Sequence, residues 1–367
     1  MALEALTVES TGRSAGHPWV DEKQFTQLPE SGLDGQSIAL VDVRGAFLGC
    51  GVFDRTDPVA AWRRYTLAED VAFDDAYLAS AMVEAIERRG EEGCQRLINS
   101  DADYLPGLIV DHFNGVVRVV CQTRAVRAHV ELIVEVLREG LNPVEMVIDQ
   151  GGELRTASGQ GLKGRWIEMD GHSYRIDLLD AEKAGFFLDQ REQHALVGSL
   201  CAGRTVLDAF SHSGAFAIQA MSAGAARAVA VDSNASYVKA IGANAQRNEC
   251  PVETVAADAA AYLSGSEAGT FDGIIFDPPF SMFADYEALA ALHRVGFAHL
   301  PQGGLMATYC RSTEMQMDAF EGLVAAAAAQ SGREARIFAR TSQPFDFPLR
   351  LNFPESCSLK GLILQVE

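Results

Sequence analysis

The 367-residue sequence predicts an α/β chain: a C-terminal doubly wound, Rossmann-like sheet over residues 176–367, a small β-rich domain over 1–67 and an α+β domain over 68–175. Three observations predict it. From about residue 176 onward, short apolar strands alternate with helical stretches, the pattern of a mostly parallel sheet. Up to about residue 67 the only regular signals are short β-like runs. Between these blocks a helical stretch is followed by strands and a hairpin.

In the first block, SIALVDV (37–43) and AFLGCGVF (46–53) read as strands joined by a hairpin turn at Arg44-Gly45. In the second, DDAYLASAMVEAIERRG reads as a helix ending at Gly90. GLIVDHF and VVRVVCQ read as strands, and a second hairpin turns at Asp170-Gly171. The run VAAAAAQ at 324–330 is an Ala-rich helix, and no internal repeat is present.

Hydrophobic side chains make up 48% of the chain, enough for a sizeable core. The start MALEALTVES lacks the basic and apolar runs of a secretory signal, and AIQAMSAGAARAVAV is broken by Arg227, so no membrane span is expected. The seven cysteines (50, 94, 121, 201, 250, 310 and 357) are scattered singly without a Cys-x-x-Cys pair. That predicts reduced thiols in a cytoplasmic protein and no metal. Asp plus Glu at 50 against Lys plus Arg at 30 give a net charge of −20, which repels nucleic acid in bulk. Screening limits such repulsion to about 10 Å at 0.1 M salt, so a local basic face still admits a polyanion.

The stretch VLDAFSHSGAFAIQAMSAGAARAVAVDSN (206–234) reads as strand, loop, helix and second strand. A dinucleotide loop wants Gly-x-Gly-x-x-Gly; here 208–214 holds one glycine, and Asp208 repels a phosphate. A ligand with both an ammonium and a carboxylate suits it better. Asp208 faces the cation, while Ser211, Ser213 and the helix N-terminal amides after Gly214 receive the anion. S-adenosylmethionine (SAM) is such a ligand. Asp232, ending the next strand, is placed to accept hydrogen bonds from ribose hydroxyls, and Asp258 in VAADAAAYL to meet the adenine amine. FDGIIFDPPF (271–280) is an apolar strand running into Asp277-Pro278-Pro279, a stiff turn that holds a flat base through Asp277 and stacking on Phe280.

EKAGFFLDQR (182–191), the SAM loop, the Asp-Pro-Pro turn and PQGGLMATYCRS resemble the class I methyltransferases of the PUA-containing 23S ribosomal RNA family that makes 5-methylcytosine. HPWV (17–20) with the following hairpin resembles the PUA domain, and RLINSDADYLPGLIVDHF the central domain. Gln343, Asp346, Pro348, Pro354-Glu355 and Leu359-Lys360 resemble the C-terminal signature.

The resemblance implies that Phe187, Gln190 and Arg191 border the cofactor, that Asp208, Ser211, Gly214 and Asp232 bind it, and that Asp277 lies between cofactor and base. It implies a ribosomal RNA substrate and a cytoplasmic enzyme, either monomeric or homodimeric. Methylation at cytosine carbon 5 needs a thiolate at carbon 6. Cys310 is the candidate, although counting from Gly304 it falls between the family's two cysteine positions, here Tyr309 and Arg311. Asp-Pro-Pro-Phe also resembles the motif of enzymes that methylate exocyclic amines of adenine or guanine, which need no cysteine. N-methylation and an inactive RNA-binding adaptor therefore remain as alternatives. His17, Trp19, Arg63, Arg64, Arg311, Arg333, Arg336, Arg340 and Arg350 are expected to form the basic face.

Overall fold

The computed structural model describes residues 3–9, 16–28, 32–90, 93–160, 162, 164–179 and 185–367. Of the motif at 182–191, residues 182–184 lie outside these. The chain divides into two compact units. The first comprises Met1–Lys163, Asp177–Gly185 and Phe345–Ser356; the second comprises Gly164–Ile176, Phe186–Pro344 and Cys357–Glu367.

The first unit opens with β1 (Glu4–Val8), β2 (Trp19–Val20), β3 (Gln36–Asp42), β4 (Phe47–Phe53) and β5 (Trp62–Thr66). They form one sheet in the order β1-β3-β4-β5-β2. The β3–β4 hairpin closes through the Gly45 amide on the Asp42 carbonyl at 2.9 Å. Helix α1 (Asp75–Glu87) follows, capped by the Asp74 side chain on the Tyr77 amide. Next come β6 (Cys94–Asn99), β7 (Leu108–Phe113), β8 (Val116–Cys121), α2 (Arg124–Ala128), α3 (Val130–Leu141), β9 (Glu145–Asp149) and β10 (Leu154–Thr156). These strands form a second sheet, β10-β9-β8-β7-β6. Apolar residues of α1, α3 and β6–β9, including Leu78, Met82, Ile133, Leu137, Val110 and Val119, fill one buried cluster.

The second unit starts with hairpin β11 (Arg165–Met169) and β12 (His172–Ile176), turning at Asp170 (φ 50°) and Gly171 (φ 77°). Both turn residues are left-handed, the signature of a two-residue hairpin loop. Then follow α4 (Arg191–Ser199), β13 (Thr205–Ala209), α5 (Ala215–Ser222), β14 (Arg227–Asp232), α6 (Ala235–Arg247), β15 (Val252–Ala256) and α7 (Ala259–Ser264). The remainder is β16 (Gly273–Phe276), α8 (Tyr286–His299), β17 (Leu305–Cys310), α9 (Met317–Gln330), β18 (Ala335–Ser342) and β19 (Lys360–Val366). The seven-stranded sheet runs β15-β14-β13-β16-β17-β19-β18. Pairs among β13–β17 are parallel, and β19 is antiparallel to both neighbours.

Strand order reverses between β13 and β16, and in such sheets the crevice beyond the strand C-termini at the reversal is where ligands bind. One sheet face buries Ile275, Ala307, Tyr309 and Phe216. The other buries Phe276, Met306, Cys310, Phe283 and Phe320.

Candidate active site

Strand β13 delivers Asp208 to that crevice. It is buried, and its Oδ2 accepts the Ser211 hydroxyl at 2.6 Å and the Ala217 amide at 3.1 Å. Its Oδ1 is buried without a hydrogen-bond partner among the described residues. Burial raises the carboxyl from 3.8 to about 7, with the Ser211 bond opposing the shift and the charges of Asp277 and Asp232 adding to it.

The following loop carries two left-handed residues other than glycine, Phe210 (φ 65°) and His212 (φ 51°), before Gly214 (φ 79°). Such backbone persists where its surroundings over-determine it. Here the Ser211 amide donates to Val231 O at 3.1 Å and the Gly214 amide to Ser211 O at 2.8 Å. A Cβ on Gly214 would lie 2.7 Å from Ile241 Cγ2, so glycine alone lets α5 start this close to α6.

Asp232 is buried at the end of β14. Its Oδ2 accepts the His212 amide at 3.0 Å and its Oδ1 the Asn234 amide at 2.8 Å. Each oxygen keeps a lone pair for a further donor. Asp258 is exposed and caps α7, accepting the Ala261 amide at 2.8 Å.

A second cluster is assembled from the turn after β16 and the segment before α4. Arg311 Nη2 lies 3.1 Å from Asp277 Oδ2 and Nε lies 3.3 Å from Oδ1, a two-pronged contact. Its Nη1 lies 3.4 Å from Asp189 Oδ2, and its guanidinium carbon sits 3.7 Å from the Phe187 ring centroid. Burial raises the Asp277 carboxyl against the downward pull of Arg311. Gln190 is fully buried, and neither its Oε1 nor its Nε2 has a hydrogen-bond partner among the described residues. Phe187, Ser211, Ser213 and Asp277 line one cavity, so the loop and the second cluster meet. Phe187 packs on His212 with centroids 5.0 Å apart, and His212 on Tyr237 at 5.0 Å. Behind them, buried His194 stands edge-on to Phe216 at 4.5 Å, and desolvation, aided by the Arg311 charge, lowers its imidazole to about 3. That ring is neutral at physiological pH.

The orphaned Asp208 oxygen and Gln190 amide, the open lone pairs of Asp232 and the aromatic wall offer partners for an ammonium, a carboxylate, a diol and a flat ring. That donor set fits SAM. Arg191 opens α4 and is partly exposed. Phe280 is 66% exposed beside the Asp-Pro-Pro turn.

Cys310 stands apart from Asp277. It packs with Phe276 and Phe320 on the opposite sheet face from Tyr309. Burial raises its thiol, while the ammonium of Lys360, its cross-strand partner on β19, lowers it.

The expected basic face requires correction. Arg63 and Arg64 are buried; Arg63 pairs with Asp57 at 3.1 Å and with Asp101, and Arg64 donates to Leu48 O and Gly16 O. His17 is buried against Glu355 at 2.8 Å, and the Trp19 indole donates to Asp101. Arg333 donates to Leu300 O and Arg350 to Asp101 O. Arg336 and Arg340 are exposed yet paired with Glu367 and Glu321 at 2.5 Å each. Carboxylates hold His17, Arg63, Arg336 and Arg340, and backbone carbonyls hold Arg64, Arg333 and Arg350.

Comparison with known proteins bears on this geometry. Residues 189–339 match the family model described as conserved hypothetical protein 95, and residues 13–63 match that of the PUA-like domain. Ribosomal RNA large subunit methyltransferase I of Shewanella amazonensis is 29% identical over 390 residues, spanning 95% of each chain. The ribosomal RNA large subunit methyltransferase of Deinococcus radiodurans is also 29% identical, spanning 96% of this chain and 94% of its own. A Streptococcus mutans structure provisionally assigned as a SAM-dependent methyltransferase superposes with a TM-score of 0.88 at 20% identity, covering 99% of this chain and 100% of that one. At that identity the likeness speaks for the fold: an N-terminal PUA-like β domain followed by a SAM-dependent methyltransferase domain. Fold and relatives make the chain a SAM-dependent methyltransferase.

Proposed function

We propose that this enzyme methylates large-subunit ribosomal RNA and that its product is 5-methylcytosine. Full-length similarity to relatives named as ribosomal RNA large subunit methyltransferases supports the RNA, and the PUA-like match supports an RNA-binding first block. The observation that carries cytosine carbon 5 is Cys310, a thiol at the C-terminal end of β17, whose neighbour β16 runs into the turn that bears Asp277.

In this reading Asp208, Ser211, Ser213, Gly214, Asp232, Phe187, Gln190, Arg191 and Asp258 border the cofactor. Asp208 takes the ammonium and Asp232 the ribose diol. SAM, when bound, supplies an electrophilic methyl group. The Cys310 thiolate adds to carbon 6 of the base, which gives carbon 5 the electron pair it needs. Asp277 holds the N3–N4 edge, and loss of the carbon 5 proton to solvent then expels the sulfur. For this the thiol must leave its apolar cluster.

That same cluster favours the second reading, methylation of an exocyclic amine held by Asp277 without any cysteine. RNA containing 5-fluorocytidine separates the two, because fluorine at carbon 5 blocks the final elimination. The 5-methylcytosine reading predicts a covalent adduct with the wild-type enzyme and none with Cys310→Ala. Equal methyl transfer by both proteins, with no adduct, would establish the amine reading instead.

A further inference from the structure

Arg311 is a cation held in a flat, two-sided slot. Its edge points two parallel N–H donors, Nε and Nη2, at the two oxygens of Asp277 at 3.3 and 3.1 Å. Its guanidinium carbon lies over the Phe187 ring, 3.7 Å from the centroid. The side chain is only 14% exposed, so the guanidinium is largely withdrawn from solvent. A carboxylate edge with an aromatic face is how a protein grips a nucleobase, and a guanidinium edge is shaped like the amidine edge of one.

We propose that Arg311 occupies the position of the target base, and that the slot selects a base presenting an amidine edge. This rests on the RNA-methyltransferase reading and deepens it. Cytosine qualifies: its N4 amine donates to one oxygen of Asp277, and its N3 shares a proton with the other. Uracil is held more weakly, because its O4 is a carbonyl oxygen far less basic than cytosine N3 and does not share that proton. Arg311 must therefore swing out before a base enters. Asp189 already holds Nη1 at 3.4 Å, so the guanidinium keeps a carboxylate when it releases Asp277. Arg311 is thus a specificity-determining residue, one that excludes any base too weak to displace it.

The test uses the full chain with S-adenosylhomocysteine bound. Methylguanidine is titrated calorimetrically into wild type and Arg311→Ala, and then oligouridylate with or without one central cytidine. Methylguanidine should bind Arg311→Ala and not wild type, and the cytidine oligonucleotide should displace it at least tenfold better than oligouridylate. Asp277→Asn added to Arg311→Ala should abolish both effects, and Arg311→Lys, which keeps the charge but lacks the fork, should bind the cytidine oligonucleotide more tightly than wild type does. Methylguanidine that binds but is displaced equally by both oligonucleotides would overturn base mimicry while leaving methyl transfer to ribosomal RNA untouched. Failure of methylguanidine to bind a folded Arg311→Ala protein that still binds S-adenosylhomocysteine would also overturn it.

Discussion

Asp232 and Asp208 carry the sharpest expectations for single residues. Each Asp232 oxygen already accepts one backbone amide and faces the crevice with a lone pair left. Asp232→Ala removes charge-assisted bonds worth about 1.5–3 kcal/mol each, so affinity for S-adenosylhomocysteine should fall at least tenfold in calorimetry. Unchanged affinity in a folded variant would contradict the assignment. Asp208, raised from 3.8 to about 7, holds a proton in the folded chain that the unfolded chain has released. Its contribution therefore favours the folded state at low pH and is lost as pH climbs from 3.8 through about 7. The ligand's ammonium pairs with the ionised form, so S-adenosylhomocysteine affinity should rise about tenfold between pH 6 and pH 8 by one-proton linkage, and Asp208→Asn should flatten the rise. A flat wild-type profile would remove the ammonium from Asp208. Both acids were legible in the sequence because they end apolar strands. Asp189 and the pairing of Arg311 with Asp277 were not, since those contacts join residues up to 122 positions apart, and local pattern carries no such information.

The loop between β13 and α5 was legible as a ligand loop from its lone glycine and hydroxyls, whereas its backbone strain was not. Gly214 combines φ 79° with a Cβ site 2.7 Å from Ile241. Gly214→Ala should destabilise the enzyme by about 1–3 kcal/mol, read as a lower melting temperature, and weaken S-adenosylhomocysteine. Wild-type stability would mean that α5 and α6 separate easily. Both hairpins followed from their turn residues, and α1 from a helical stretch ending at Gly90. Strands β9 and β10 escaped notice because EMVID and LRT are short and lack clear alternation. Asp258 illustrates an ambiguity that sequence leaves open: an acid between a strand and a helix is equally a cap and a ligand, and here its Oδ1 is bonded to the Ala261 amide.

For the whole chain, the C-terminal signature has a structural meaning that linear reading missed. Phe345–Ser356 belongs to the first unit although it follows most of the second in sequence. Within that unit Asp346 is fully buried and accepts the Arg96 amide at 2.8 Å, and Phe353 packs edge-on against Trp19 at 4.6 Å. Asp346→Ala should lower stability by about 1–3 kcal/mol, measured by denaturant unfolding; no loss would make this segment ornamental. The charge of −20 is unusual for an enzyme proposed to act on RNA, and the residues expected to form a local basic face are instead held by internal carboxylates and backbone carbonyls. Under the proposed function, RNA recognition rests on the slot, the exposed Phe280 and the PUA-like block. Nucleoside mass spectrometry of large-subunit ribosomal RNA from a deletion strain complemented with wild type or Cys310→Ala decides whether the product is 5-methylcytosine and Cys310 its nucleophile. 5-Methylcytosine is expected to disappear on deletion and to return only with wild type. An unchanged 5-methylcytosine level, with loss of an N-methylated purine restored by both proteins, would contradict it.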